Sequence, residues 1–183
     1  MNKLRLLTFL LLSAFLIQSC KKDTIVGTAY TTAAFQANIN GAAWAPDTMS
    51  TTINYSSATK TKTFILSGTK NQKQVIISVG LTNASSGNGF TTGTYNVNGT
   101  TVTMAYNTQQ KDSLGNYVFL PHGTVSPGGG IIYITAVDSV KKQITGTFSF
   151  YSRSAATDGS GSITIDNILG GEFNSIPYTF TVN

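Results

Sequence analysis

His122, in FLPHGTVSPGGG, is the only imidazole in the chain, and seven Asp and Glu side chains are the only carboxylates. A histidine serves as a general base or completes a Ser-His-Asp triad. Here Pro121 and Gly123 place it in a turn, and no G-x-S-x-G elbow presents a nucleophile. Zinc needs three or four ligands, which one histidine does not supply. Glycoside hydrolysis needs two carboxylates about 5–9.5 Å apart. Asp112, Asp138, Asp158, Asp166 and Glu172 all lie beside turn signals, and nothing in the sequence pairs any two of them. In TDGSGSITID, Asp158, Ser160, Ser162 and Asp166 take the first, third, fifth and ninth positions of a calcium loop, which makes Asp158 and Asp166 the metal candidates. Ile163 stands where that loop needs glycine and Leu169 where it needs its closing glutamate, so the stretch also reads as an Asp158-Gly159 hairpin turn and a strand ending at Asp166-Asn167. Gly128-Gly129-Gly130 lacks the Lys-Ser/Thr of a phosphate loop and reads as a flexible turn. No catalytic residue, metal or cofactor is expected. A hydrolase assembled from His122 and scattered carboxylates is the enzymatic alternative.

The remaining reactive group is the single thiol, Cys20, in LIQSCKKD. Lys3 and Arg5 precede an apolar run from Leu6 to Ile17, the layout of a secretory signal, and the run is shorter than the roughly 20 residues a membrane span needs. Ile17-Gln18-Ser19-Cys20 resembles the lipobox of bacterial lipoproteins, with a branched apolar residue three before the cysteine and a small residue directly before it. The resemblance implies that Cys20 becomes the first residue of the mature chain, carrying a thioether-linked diacylglyceride and an N-acyl group. Each buried methylene adds about 0.8 kcal/mol, so several chains would hold the protein firmly to a membrane. Residues 1–19 are then the signal peptide, 20–32 a lipidated tether and 33–183 a single domain.

The formal charge is +5, and removing Lys3 and Arg5 with the signal leaves +3. With no cluster of Lys and Arg, the footprint of a nucleic-acid partner is absent. Solvated faces fall to Thr, Ser, Asn and Gly, a composition suited to strands and turns.

Period-2 alternation, the signature of half-buried strands, runs through the mature chain. Phe35, Ala37 and Ile39 share one face before Asn40-Gly41. Phe64 and Leu66, then Val75, Ile77, Val79 and Leu81, give the clearest apolar faces. Val102, Met104 and Tyr106 follow Asn98-Gly99, which favours a type I′ hairpin turn. Ile132 to Ala136 and Ile144 to Phe150 read as a hairpin through Val137–Lys142. Ile163 and Ile165 form a short strand, and Ile176 to Val182 a terminal one. With weaker runs at Ser50–Ser56 and Tyr117–Leu120, the pattern predicts nine or ten short strands, antiparallel because the connections are short. The expected fold is all-β: an antiparallel β-sandwich or a lipocalin-like open barrel.

Phe35-x-Ala37-x-Ile39-Asn40-Gly41-x-x-Trp44 resembles the opening of a group of Bacteroidetes outer-membrane lipoproteins known as a domain of unknown function. Gly93-Thr94-Tyr95, Gly130-x-Ile132-x-Ile134-Thr135-x-x-Asp138, Ile144-Thr145-Gly146-Thr147-Phe148-Ser149-Phe150 and Gly170-Gly171-x-Phe173 are similar to its later blocks. The resemblance implies an all-β domain in the cell envelope and supplies no activity. Trp44 is expected to cover the open end of the sheet, with a sugar-stacking platform as the sharper alternative. Tyr95 and Tyr106 are the other ligand-binding candidates. The function expected is a non-catalytic, membrane-anchored domain that binds an envelope protein or a glycan. A carrier of a small apolar ligand is the alternative. Some Bacteroidetes surface lipoproteins carry an acidic run after the cysteine, and here only Asp23 follows Lys21-Lys22, which tilts placement toward the periplasmic face.

Overall fold

In a computed structural model, residues 34–156 and 160–183 are described, which leaves Cys20, the tether and Asp158 outside the described residues. Among the described residues twelve strands form two six-stranded sheets packed as a sandwich, so the open-barrel alternative is set aside. The strands are β1 (Phe35–Ile39), β2 (Ala42–Trp44), β3 (Thr48–Ser56), β4 (Thr61–Lys70), β5 (Lys73–Leu81), β6 (Gly93–Asn96), β7 (Val102–Lys111), β8 (Tyr117–Pro121), β9 (Gly130–Asp138), β10 (Gln143–Ala155), β11 (Ile163–Pro177) and β12 (Thr179–Val182). The first sheet runs β2-β1-β11-β10-β9-β6 and the second β12-β3-β4-β5-β7-β8.

Alternation sets the two inner faces. Phe64 and Leu66 of β4, and Val75, Ile77 and Val79 of β5, are fully buried from the second sheet. Ile132, Ile144, Ile168 and Phe173 meet them from the first. Phe64 and Phe173 bridge the sheets with ring centroids 6.0 Å apart. Each such side chain contributes about 1.5–3 kcal/mol by leaving water.

Turn chemistry decides the hairpins. Asn40 and Gly41 both take positive φ (53° and 82°), the requirement of a type I′ turn, and β1 folds directly onto β2. Asp138 accepts from the backbone of Val140 (3.0 Å) and Lys141 (2.8 Å) to close β9 onto β10. Asn98-Gly99 behaves differently from the hairpin expected there: only Gly99 has positive φ, and β6 and β7 belong to different sheets. The Asn98 side-chain oxygen instead accepts from the backbones of Thr100, Thr101 and Val102, shaping a crossover between layers.

Two further expectations need correction. The strand begun by Ile163 does not stop at Asp166-Asn167 but runs on to Pro177, absorbing a bulge at Gly170, whose φ of +56° suits glycine. The terminal run is split by Pro177, which has no N–H to continue the ladder. Tyr178 then carries the chain to the other sheet, and β12 pairs with β3 in parallel because the chain keeps its direction while changing layer. The short strands β2 and β6 have too few residues to show a period and bring the count to twelve.

The β7–β8 hairpin tip carries a pH prediction. The backbone N–H of Asn116 on the Asp112 carboxylate holds that group below its ordinary range, with the N–H of Leu114 adding to it. A depressed carboxylate stabilises the tip above its ordinary value, and that contribution is lost as pH falls through the folded value. Amide exchange at Leu114 and Asn116, corrected for intrinsic rates, is therefore expected to accelerate on acidification, and Asp112→Asn to show the fast rates already at neutral pH.

Candidate functional site

Three inner-face positions at one end of the sandwich carry polar groups. Ser152 follows Phe148 and Phe150 along β10, and Asp166 precedes Ile168 along β11; both are buried and pair across the strands. Tyr106, buried on β7, faces them from the other sheet.

His122 lies in the bend after β8, where its backbone N–H donates to the Tyr106 carbonyl (2.8 Å). Its Nδ1 is 2.7 Å from Asp166 Oδ2, and its ring meets Tyr106 edge-on at 5.8 Å. The other Asp166 oxygen accepts from Asn40 Nδ2 at 2.7 Å. Burial first, and then the Asp166 charge, push the Tyr106 hydroxyl above the ordinary tyrosine range. The structure thus assembles His122 with one carboxylate, across 44 residues of sequence.

A triad would need a hydroxyl at His122 Nε2. The nearest serine by topology, Ser152, donates to the His122 backbone carbonyl (2.7 Å), and among the described residues no hydroxyl bonds to Nε2. Asp112, Asp138 and Glu172 are engaged elsewhere, Glu172 with Gln36 at 3.2 Å. Among the described residues no cluster of three His, Cys, Asp or Glu side chains could hold a metal ion. The geometry is that of a clamp between sheets: Asp166 fastens the β1–β2 turn to the end of β8.

The aromatic candidates lie apart from one another. Trp44 is 7% exposed, in β2, with its ring edge-on to Phe35 at 5.6 Å. Tyr106 is buried in the clamp. Tyr95 is partly buried, and its hydroxyl donates to the Thr91 carbonyl at 2.7 Å. Burial raises it above the usual tyrosine range.

The outer face of the first sheet carries a different arrangement, for which the sequence gives no signal. Alternation sends Ile131 and Tyr133 of β9, Ser149 and Tyr151 of β10 and Leu169 of β11 outward. There Asn96, Gly129, Ile131, Ser149, Tyr151 and Leu169 line a groove of about 320 Å³. Gly128, at φ +77° with nothing within 4 Å of where a Cβ would stand, keeps one rim low. Arg153 lies over the Tyr151 ring at 5.0 Å, Leu169 in the lining is 51% exposed, and Tyr133, two residues beyond Ile131 on the same face of β9, is 42% exposed. The opposite outer face, by contrast, aligns Thr52, Ile65, Ser78 and Thr103 across four strands.

No curated protein and no solved structure matches the chain. A family model matches residues 31–177, from before β1 to the end of β11, and so includes the clamp, the bulge and every strand but β12. By that match the chain belongs to the DUF6252 family, a domain of unknown function.

Proposed function

We propose that this chain is a non-catalytic binding domain of the cell envelope, an outer-membrane lipoprotein of Bacteroidetes type, anchored through acylated Cys20 on the periplasmic face. Its ligand is a glycan, taken on the outer face of the first sheet. The observation that carries the ligand assignment is the groove itself: an aromatic ring and aliphatic side chains beside the Asn96 amide and the Ser149 hydroxyl, on a rigid sheet. Sugar rings offer an apolar face with hydroxyls at its edge, and that combination of surfaces complements both. The His122–Asp166 pair supports the non-catalytic reading because the serine beside it, Ser152, is committed to a backbone carbonyl.

The test uses the full chain in detergent on a glycan array. Retention of a defined glycan is expected, weakened about tenfold or more by Tyr151→Ala, since a central aromatic contact is worth at least about 1.4 kcal/mol. Undiminished binding by Tyr151→Ala and Tyr133→Ala would remove the groove from the reading. In cells, Cys20→Ser is expected to leave the membrane fraction, and protease added to intact cells is expected to spare the parent chain. A Cys20→Ser chain that still sediments with membranes would overturn the anchor.

A further inference from the structure

Lys62 occupies an inner-face position. It precedes Phe64 and Leu66 in the alternation of β4 and is 4% exposed, yet among the described residues no carboxylate pairs with it. An ammonium has three N–H donors, and two are satisfied here, by the carbonyls of Gly87 (2.6 Å) and Gly89 (2.8 Å). The rings of Tyr55 and Phe180, on β3 and β12, each stand 5.9 Å from the ammonium. Buried charges are ordinarily paired with an opposite charge because desolvation is costly, so one held only by carbonyls and aromatic rings marks a place where an anion would be favoured.

Beside Lys62 opens a cavity of about 360 Å³, lined among others by Thr82, Asn83, Ser85, Phe90 and Thr91. Its wall is built rather than loose. Ala84 N–H donates to the Lys60 carbonyl (2.9 Å), Asn88 Nδ2 to the Ser139 carbonyl (2.9 Å), and Tyr178 Oη to the Asn88 carbonyl (3.0 Å). Phe90 is buried against Phe64 at 5.8 Å. A volume above about 300 Å³ suits a small ligand.

We propose that this cavity binds the carboxylate of a small polyhydroxylated acid, a sugar acid in chemical class, with the third N–H of Lys62 as its charge anchor. A single ammonium matches a single negative charge. Phosphate sites gather several N–H donors or Arg forks, whereas the groups nearest Lys62 here are carbonyl oxygens that repel a dianion. The hydroxyls of Thr82, Ser85 and Thr91 and the Asn83 amide suit the ligand's own hydroxyls. Desolvation by burial, which lowers the Lys62 pKa, would be offset by a bound anion. This site is independent of the groove on the first sheet.

The experiment titrates the full chain in detergent with D-glucuronate, D-glucose and inorganic phosphate at constant ionic strength, following the amide resonances of residues 82–91. Glucuronate is expected to shift them saturably, and glucose and phosphate at least about tenfold more weakly, as befits a charge-assisted hydrogen bond. Lys62→Met should abolish the preference for glucuronate over glucose. Since Lys62 also latches the 82–92 loop, Asn83→Asp provides a second arm: it puts a negative charge on the exposed rim and should weaken glucuronate about threefold or more without disturbing the latch. Equal shifts by glucose, tighter binding of phosphate, no response to glucuronate, or an Asn83→Asp chain that binds it unchanged would each overturn the assignment.

Discussion

Gly146→Ala is expected to melt about 6–12 °C below the parent chain, from an overpacking cost near 3 kcal/mol in a domain of this size. A Cβ at Gly146 would overlap the Tyr133 carbonyl oxygen and Phe173 Cζ. One at Gly171 would overlap three atoms of the Phe148 ring. The cause lies in a sequence pattern used twice. Gly146-Thr147-Phe148 on β10 and Gly171-Glu172-Phe173 on β11 are both Gly-x-Phe, and the strands are antiparallel in a register that pairs Gly146 with Phe173 and Phe148 with Gly171. Each ring lies over the glycine opposite, so two aromatics fill one inner face without colliding. Phe148→Ala alone should cost about 3–5 kcal/mol. The double substitution Gly171→Ala/Phe148→Ala should cost less than the sum of its parts by about 1 kcal/mol or more, because the new methyl enters the space the ring has left. Additivity within about 0.5 kcal/mol in thermal or urea unfolding would show that the ring and the glycine do not share that space.

The Gly-x-Phe pair also marks what the sequence makes legible and where it stops. Both blocks stand in the sequence as strand patterns, but their reciprocity depends on register, and register between β10 and β11 passes through a bulge at Gly170 that no local period predicts. The long alternating runs of β4, β5 and β7 are legible because each side chain pair repeats the same choice of face. The sandwich follows from those faces, whereas the crossing at Asn98-Gly99 and the change of sheet at Tyr178 do not, since a turn signal specifies a bend and not the layer the chain enters next. In the sequence Asp166-Asn167 signals a strand end because Asp-Asn favours turns. In the fold its partners, Asn40 and His122, outweigh that preference from 126 and 44 residues away. Lys62 left a usable sign, a charge at an inward position two before Phe64. The outward groove left none, because exposed positions on a strand tolerate almost any side chain and Tyr151 differs from its neighbours only once the register is known.

Asp166→Ala is expected to destabilise the domain by about 2–4 kcal/mol, the cost of taking a buried, shared acceptor away from the Asn40 amide and the His122 imidazole. Both of its oxygens are in use, and the groups they hold belong to different sheets: Asn40 to the β1–β2 turn, His122 to the end of β8. Asn40 is bound twice more, accepting from the Asn167 N–H at 2.8 Å and donating its own N–H to the Asn167 carbonyl at 2.9 Å. Loss of the carboxylate would leave a side-chain amide and an imidazole facing a cavity lined by Tyr106. His122→Ala should cost less, about 1–2 kcal/mol, because the ring is 38% exposed and water replaces part of what it gave Asp166. The two substitutions should be strongly coupled, with the double variant little worse than Asp166→Ala alone. A clamp and a catalytic dyad part company here. In a clamp the carboxylate is the dominant partner and stability records its loss. In a dyad built for reaction the imidazole would carry the chemistry, and Asp166→Ala would unfold at nearly the parent's urea midpoint. A midpoint within the equivalent of about 1 kcal/mol of the parent's would therefore restore His122 as a reactive group and reopen the hydrolase reading.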